Sequence, residues 1–317
     1  MAACGLGSAS FVAACPPRRL ARCVRTAVHA SQTNSAVASP QTGRCGDRYI
    51  LGPEEVKAFH RDGFVALHGV MSEEEMAQHI DPWYQAYLQR KIEVPGKDLC
   101  DMSGATDRSP DEFTVYNVML PRKYNPGQQG NLFEKRSQDI AQQLQGGDMA
   151  IDYDQILAKR PGSEDSLFPW HQDMAYWPPL TSSLATATCW LAVTTSNVEN
   201  GCMRFLKGSH KESELRRHMP VSGSRENSHA LYTAVGPGEE ARASLQPLPR
   251  GSITVHNERV VHSSGPNRSK GWRNAYIIAY RKTACIEEER SLGFTHSHND
   301  THNWDVFNKW TSMDPPQ

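Results

Sequence analysis

Three His-x-Asp triplets carry residue types that could bind a metal ion. They are His60-Arg61-Asp62, His171-Gln172-Asp173 and His298-Asn299-Asp300. On an extended strand, residues i and i+2 point to the same face, so an imidazole and a carboxylate can both reach one ion. The middle triplet lies in PWHQDMAYWP, between aromatic residues, a context typical of a strand at the mouth of a cavity. His171 and Asp173 are therefore the candidate ligands.

The other two triplets favour structural roles. His60 and Asp62 fall at the end of a predicted helix, where side chains two positions apart diverge by roughly 200°. We interpret them as surface residues beside a helix stop. His298 lies in the polar stretch HSHNDTHN, which we interpret as a solvated tail. Its histidines, His296, His298 and His302, could still bind metals adventitiously.

A metal site needs a third ligand, and five histidines follow the middle triplet before the final tail. They are His210, His218, His229, His256 and His262. His262 ends the strand-like ERVVH, and Arg273 opens the apolar strand NAYIIAYR. Two histidines and one carboxylate with open positions are the ligand set of non-haem Fe(II) oxygenases. A guanidinium can hold the distal carboxylate of 2-oxoglutarate through two hydrogen bonds, and Arg273 is placed for this.

Four segments then resemble the phytanoyl-CoA dioxygenase family of Fe(II)- and 2-oxoglutarate-dependent oxygenases, and they occur in the family's order. They are DYDQILAKRPG at 152–162, PWHQDMAYWP at 169–178, CWLAVTTSNVENGCMRFLKGSHK at 189–211 and HSSGPNRSKGWRNAYIIAYR at 262–281. The earlier FHRDGFVAL at 59–67 is similar to the family's N-terminal helix and strand. The resemblance covers almost all of the chain between residues 50 and 285.

The resemblance assigns roles to particular residues. The iron ligands that it implies are His171, Asp173 and His262. It implies that Arg273 binds 2-oxoglutarate, that Gln172 contacts this co-substrate, and that Ser264 lies near its distal carboxylate. Gln155 stands where some members place an apolar residue, which leaves its role open. We interpret His256 as a supporting or core histidine, and we expect no catalytic residue beyond the metal centre.

The expected function is a dioxygenase that uses Fe(II), 2-oxoglutarate and O2. It would oxidise, and specifically hydroxylate, a small organic or acyl-CoA substrate and release succinate and CO2. Related halogenases replace the carboxylate ligand by Ala or Gly, whereas Asp173 is present here. The alternative is a non-catalytic jelly-roll protein of the same family that binds a metal or ligand. A basic cluster that could contact the phosphates of a CoA substrate comprises Lys207, Lys211, Arg216 and Arg217, although a solvated surface explains it equally well.

Local sequence signals predict helices first and strands afterwards. We expect helices over 53–63, from Ser72 toward Lys91 with an interruption at Pro82, and over 133–145. Short β-type runs separated by Gly, Pro, Asn and Ser follow from residue 149. The fold class is mainly β with flanking helices (α+β), and the resemblance implies a double-stranded β-helix, or cupin-like jelly roll.

These elements predict a single domain over 47–317. It comprises a helical part at 47–148, a jelly-roll core at 149–285 and a tail at 286–317, with 211–250 as a long polar loop and candidate lid. Lys plus Arg is 34 and Asp plus Glu is 35, so we expect no nucleic-acid partner. No apolar run has the length of a transmembrane segment. The sequence leaves the oligomeric state open.

Residues 1–46 differ in composition from the rest of the chain. They contain five Arg, no Lys and no Asp or Glu, as transit peptides do. We predict an organellar leader, with a plastid favoured over a mitochondrion, and a cytoplasmic location if the leader does not act. The four cysteines after it, which are Cys100, Cys189, Cys202 and Cys285, form no CxxC pair, and we expect single thiols.

Overall fold

A seven-stranded antiparallel sheet is the larger of two main sheets in the computed structural model, which describes residues 42–103, 108–178, 182–223 and 229–303. Strands and helices are numbered in chain order. Across this sheet the strands are β3 (Phe64–Leu67), β13 (Ile253–His256), β8 (Thr186–Ala192), β15 (Arg273–Lys282), β6 (Met149–Lys159), β5 (Val115–Met119) and β4 (Leu99–Asp101). Its longest pairing joins β15 to β6, from Arg273 opposite Lys159 to Lys282 opposite Met149.

A smaller four-stranded sheet faces the larger one. Its order is β12 (Ser244–Gln246), β9 (Met203–Phe205), β14 (His262–Ser264) and β7 (Phe168–His171). Two separate hairpins pair β1 (Gly43–Cys45) with β2 (Arg48–Ile50), and β10 (His218–Pro220) with β11 (Leu231–Thr233). Buried side chains of both sheets, including Trp190, Phe205 and Ile277, pack in one cluster between them. This arrangement confirms the predicted jelly roll.

Seven α-helices flank the strands in the described part of the chain. They are α1 (Pro53–Asp62), α2 (Glu73–His79), α3 (Asp81–Leu88), α4 (Pro121–Tyr124), α5 (Leu132–Gln145), α6 (Pro237–Glu240) and α7 (Thr283–Ser291). The hydroxyl of Ser72 accepts from the Glu75 amide, and the Glu75 carboxylate accepts from the Ser72 amide, which closes a capping box before α2. The predicted second helix is two helices, α2 and α3, because the chain is interrupted at Ile80, just before Pro82.

Alternation along β15 separates the two faces of the large sheet. Tyr276, Ile278 and Tyr280 belong to the hydrophobic core that also contains Phe59 of α1 and Phe133 of α5. Burying each such side chain contributes about 1.5–3 kcal/mol. The intervening positions of β15 therefore face the smaller sheet. The helices cover the outer face of the large sheet, and its inner face lines the space between the two sheets.

Three boundaries differ from the sequence predictions. The N-terminal part is less purely helical than expected, because β3, β5 and β4 extend the large sheet. The predicted loop at 211–250 contains β10, β11, α6 and β12. Strand β1 precedes Asp47, and the Gly46 carbonyl accepts from Arg136, so the folded part begins before the predicted boundary. Residues 1–41, where most of the predicted leader falls, lie outside the described residues.

Within the ranges that the structure describes, no helix has the length and apolar character needed to span a bilayer. The cysteines that can be described, Cys45, Cys100, Cys189, Cys202 and Cys285, are free thiols. The predicted single thiols of the body are thereby confirmed.

Candidate metal and co-substrate site

Two short strands bring the predicted metal ligands together. His171 ends β7 and His262 begins β14, and these two residues are paired directly across the small sheet. Asp173 follows β7 at the start of a 3-10 turn, after Gln172 in extended conformation. Asp173 Oδ1 lies 3.2 Å from His171 Nε2 and 3.3 Å from His262 Nε2. One potential ligand atom from each residue thus lies within 4.8 Å of the others.

Backbone carbonyls orient both imidazoles. His171 Nδ1 lies 2.8 Å from the Pro169 oxygen, and His262 Nδ1 lies 3.0 Å from the Val260 oxygen. Because a carbonyl only accepts, each Nδ1 carries the proton and donates it. Each Nε2 lone pair is then available on the side of Asp173, as the protein ligands of a metal require.

Burial and neighbouring charges set the protonation of the three groups. Burial and the nearby His262 lower the pKa of His171. Burial alone would raise the pKa of Asp173, but the neighbouring His262, followed by His171 and His256, holds it well below its usual range. Burial would lower the pKa of His262, yet Asp173 outweighs it and raises that pKa. An ionised carboxylate between two imidazoles fits Fe(II), with positions left open for other ligands.

His256 contacts this group from β13 without sharing its geometry. Its Nε2 lies 3.0 Å from Asp173 Oδ2, the oxygen that does not face His171 and His262. Burial, followed by the charge of His262, lowers the pKa of His256 to about 4. A neutral His256 therefore donates to the outer oxygen and holds the carboxylate plane. This agrees with the sequence interpretation of His256 as a supporting residue.

Arg273 lies at the other end of the same cavity as a buried cation. Its side chain is 1% exposed, and its guanidinium carbon lies 5.2 Å from the centre of the Trp190 ring. Nε and Nη1 have no hydrogen-bond partner in the described structure. Burial lowers the pKa of Arg273 to about 10, which keeps it charged at neutral pH. Since a buried charge without a partner is costly, this position favours binding of an anion.

Lys159 is a cavity residue that the sequence analysis missed. It faces Arg273 in the strand register, and its Nζ donates to Ser264 Oγ at 2.7 Å and to the Gly265 oxygen at 2.6 Å. Burial, and then the charge of Arg273, lower the pKa of Lys159 well below its usual value. Ser264 is thus held by Lys159 in the cavity that Arg273 also lines, and its predicted place near the distal carboxylate of 2-oxoglutarate stays a prediction. A signal was present, because Tyr153, Gln155, Leu157 and Lys159 alternate along β6 and all line the cavity.

Gln172 requires a correction. Its side chain is fully buried, donates to the Arg259 oxygen at 2.6 Å and accepts from the Arg216 amide at 2.9 Å. Its backbone amide donates to His218 Nε2 at 2.9 Å. Alternation that directs His171 and Asp173 into the site directs the intervening side chain away from it. Gln172 therefore anchors neighbouring loops and does not extend its amide toward a co-substrate.

The C-terminal segment also requires a correction. His296 is 7% exposed, its Nε2 lies 2.9 Å from Asp152 Oδ2, and it lines the cavity together with His298. The interpretation of this stretch as a solvated tail is wrong, because buried ion pairs replace water around its polar groups. Asp152, Glu289 and His296 approach one another as metal ligands could, but Arg281 contacts both carboxylates and supplies the cation. By contrast, Asp62 pairs with Arg61 at the exposed end of α1, as expected.

These groups line one cavity of about 1040 Å³, a volume that includes its open mouth. The metal-binding candidates, Arg273, Lys159 and Ser264 all face it. Among the aromatic residues, Tyr176, Trp177 and Trp190 line it as well, whereas Trp170 packs against the guanidinium of Arg204.

Comparisons with known proteins agree with this geometry. The family model of phytanoyl-CoA dioxygenase (PhyH) matches residues 59–275. The chain is 27% identical over 241 residues to the probable alpha-ketoglutarate-dependent hypophosphite dioxygenase of Stutzerimonas stutzeri, covering 72% of this chain and 77% of that protein. It is 22% identical to the peroxisomal phytanoyl-CoA dioxygenase of Homo sapiens, covering 75% of this chain and 71% of that protein.

Solved structures show the same relationship. EvdO2 from Micromonospora carbonacea var. aurantiaca matches with a TM-score of 0.59 and 26% identity, over 73% of this chain and 91% of that one. EvdO2 in complex with 2-oxoglutarate matches with a TM-score of 0.56 and 25% identity, over the same shares. The chain therefore belongs to the phytanoyl-CoA dioxygenase family and is a 2-oxoglutarate-dependent dioxygenase.

Proposed function

We propose that the protein hydroxylates a small organic or acyl-CoA substrate, with His171, Asp173 and His262 as Fe(II) ligands. The reaction consumes O2 and 2-oxoglutarate and yields succinate, CO2 and the hydroxylated product. One oxygen atom enters succinate and the other enters the substrate. The observation that carries this proposal is the convergence of two oriented imidazoles and one carboxylate in the cavity that also holds Arg273, whose Nε and Nη1 have no hydrogen-bond partner in the described structure.

The residues of the chain position the reactants. His171, Asp173 and His262 offer one nitrogen–oxygen–nitrogen face, so a bound ion keeps the remaining positions for 2-oxoglutarate and O2. Fe(II) at this face supplies the one-electron chemistry with O2 that an unactivated C–H bond requires. Arg273 pairs with the distal carboxylate of 2-oxoglutarate, and Ser264 lies beside it. The depth of both residues excludes water from this end of the cavity.

Asp173 supports hydroxylation over halogenation. Its carboxylate occupies the position that a halide takes in related halogenases, and His256 fixes its orientation through the outer oxygen. A carboxylate held from both sides is not readily displaced by an anion from solvent.

The direct test is iron binding by matched histidine variants. We expect His262→Ala to abolish tight Fe(II) binding, because a ligand is lost. We expect His256→Ala to weaken it by roughly 10- to 100-fold, as loss of a residue that orients a ligand does. Iron content after dialysis and a titration with Fe(II) measure both variants. The reverse ranking would contradict the ligand assignment.

A second measurement separates an enzyme from a binding protein that has lost turnover. Wild-type protein with Fe(II), O2 and 2-oxoglutarate should form succinate, at least in the slow reaction without substrate. Iron and 2-oxoglutarate binding without any succinate would favour the non-catalytic alternative.

We also infer that the leader predicted over residues 1–46, here ended before strand β1, directs the protein to a plastid, because this segment is basic and lacks acidic residues. A fluorescent reporter fused after Ser39 should enter plastids of a photosynthetic cell. Accumulation of the fusion in mitochondria or in the cytosol would contradict the proposed destination.

A further inference from the structure

We propose that the substrate is an uncharged molecule with an aromatic or cyclic hydrocarbon body that enters the site free, without a CoA carrier. This inference rests on the proposed function and adds a substrate class to it. It follows from the distribution of rings and charges at the end of the cavity opposite Arg273.

The cavity has two chemically different ends. Strand β6 carries Lys159 opposite Arg273 and Tyr153 six residues earlier in the chain, and both side chains line the cavity. Tyr153 lies at the level of the metal-binding group, because the strand register runs from Tyr153 through Ala279 and Thr188 to His256. The space beside Tyr153 is therefore next to the reacting centre and separate from the anion-binding end.

Rings form much of the wall at this second end. Tyr153, Tyr176, Trp177, Phe294, His296 and His298 all line it. The Tyr153 and His296 ring centres lie 4.6 Å apart, and Phe294 meets His296 edge-on at the same distance. Such a wall offers faces and edges on which a planar or cyclic body packs well. Polar side chains interrupt this wall, among them His229, Ser297 and Asn303, and ligand pockets use such groups to fix the orientation of a bound molecule.

Charged groups at this end are already balanced by one another. Arg281 stacks on Trp177, with 3.6 Å from its guanidinium carbon to the ring centre, and pairs with Asp152 and Glu289. Arg290 also pairs with Asp152, at 2.6 Å. Among the described lining residues, the only lysine and arginine are Lys159 and Arg273, both at the other end. A carboxylate or phosphate placed beside Tyr153 would therefore meet neither a lysine nor an arginine of the described lining.

Two of the four cations in the surface cluster considered for CoA phosphates already have carboxylate partners. Arg216 is bound by Glu212 at 2.6 Å and by Glu239 at 2.8 Å. Lys207 lies 3.8 Å from Asp62. Phosphates would have to compete with three carboxylates for these two cations. This arrangement disfavours a CoA thioester and leaves the uncharged ring body as the class that fits.

The test is ligand binding to the anaerobic complex of the protein with Fe(II) and 2-oxoglutarate. The probes are matched alcohols, carboxylates and CoA thioesters built on phenylpropyl, cyclohexylpropyl and naphthylpropyl groups. The change in the visible absorption of the iron complex gives each Kd. We expect at least one alcohol to bind tenfold or more tightly than its carboxylate and its thioester. Preference for the charged members, or no binding by any alcohol, would overturn the inference.

Two variants locate the bound ring. Tyr153→Leu should weaken alcohol binding by roughly two- to tenfold, the value of one aromatic contact, while 2-oxoglutarate affinity stays unchanged. Tyr153→Phe keeps the ring and should bind within twofold of wild type. An equal loss in both variants would show recognition through the hydroxyl and would contradict ring packing.

Lys207→Ala is the matched control at the surface cluster, and it should change no Kd. A weaker thioester Kd in this variant would contradict free entry of the substrate. The absorption band separates the two levels of the proposal. If iron and 2-oxoglutarate form no such band, the proposed function fails. If the band forms and only charged probes perturb it, the function stands and the substrate class fails.

Discussion

Replacement of Arg273 by lysine tests the co-substrate end of the site most sharply. The guanidinium is 1% exposed and rests against Trp190, and its Nε and Nη1 have no hydrogen-bond partner among the described residues. The N–H groups of a guanidinium form planar pairs, and a carboxylate accepts two parallel hydrogen bonds from such a pair. Lysine keeps the positive charge but has a single donor atom and no planar fork. The change therefore isolates geometry from charge.

The loss should correspond to one charge-assisted hydrogen bond, about 1.5–3 kcal/mol. We therefore expect Arg273→Lys to raise the KM for 2-oxoglutarate by roughly ten- to hundredfold while Fe(II) affinity stays close to wild type. Succinate formation against 2-oxoglutarate concentration gives the KM, and a separate titration gives the iron affinity.

The matched control is Arg204→Lys. Arg204 lies on strand β9 of the smaller sheet, where it donates to Ser263 Oγ at 2.6 Å and pairs with Glu240, but it is not among the residues that line the cavity. Its replacement should leave the KM for 2-oxoglutarate within about twofold. A wild-type KM in Arg273→Lys would refute the anchor role, and an equal rise in both variants would indicate a general loss of packing.

Three further outcomes are expected. A chain that starts at Pro40 should have the same melting temperature as the full-length protein. A chain that starts at Asp47 should melt at a lower temperature, because strand β1 is lost. Equal melting temperatures of the two truncated chains would show that β1 is dispensable. Hydrogen bonding to Arg136 lowers the pKa of Glu75 from 4.5 to about 2, so its contribution to stability is full above pH 4.5 and is lost as the pH falls toward 2. Glu75→Gln should lower the free energy of unfolding by about 2 kcal/mol at pH 7, a value reduced from the full pKa shift because Glu75 is partly exposed to solvent. Chemical unfolding at several pH values should show this difference from wild type vanishing near pH 2. A difference that stays constant with pH would contradict the pairing of Glu75 with Arg136. Asp152→Asn should lower the free energy of unfolding by about 3 kcal/mol, because it leaves buried cations without a balancing charge. Calorimetry on the iron-loaded protein measures this loss, and an unchanged stability would contradict the expectation.

Local sequence rules predicted the main elements because each carried its own signal. Proline and two glutamates opened α1, and Gly63, with φ of +88°, ended it next to β3. The convergence of His171 and His262 depends on strand pairing across many residues, which spacing alone does not encode. The family resemblance supplied that long-range information, and the register of β7 with β14 now gives it a physical basis.

Other features escaped prediction because they depend on what lies opposite a residue. In the sequence, Lys159 is only the polar last residue of a strand. Its place in the cavity becomes evident from the strand pairing, which puts it opposite Arg273. His296 sits in a polar stretch, and only the buried carboxylates around it explain why that stretch is inside. Gln172 is different, because its direction was predictable from the sequence. Side chains alternate along a strand, so if His171 and Asp173 point into the site, the side-chain amide of Gln172 must point away from it.

The order of the chain divides the enzyme into parts that can change at different rates. The residues proposed to hold iron and co-substrate all precede Lys282, whereas Phe294, His296 and His298 follow it and help to form the wall beside Tyr153. Substitutions in this terminal stretch could redirect specificity while the chemical apparatus stays intact. An exchange of this stretch between relatives, joined after Lys282, is therefore a natural recombination experiment. Its constraint is that the incoming segment must bring acidic and imidazole partners for Arg281 and Asp152, so these positions should covary.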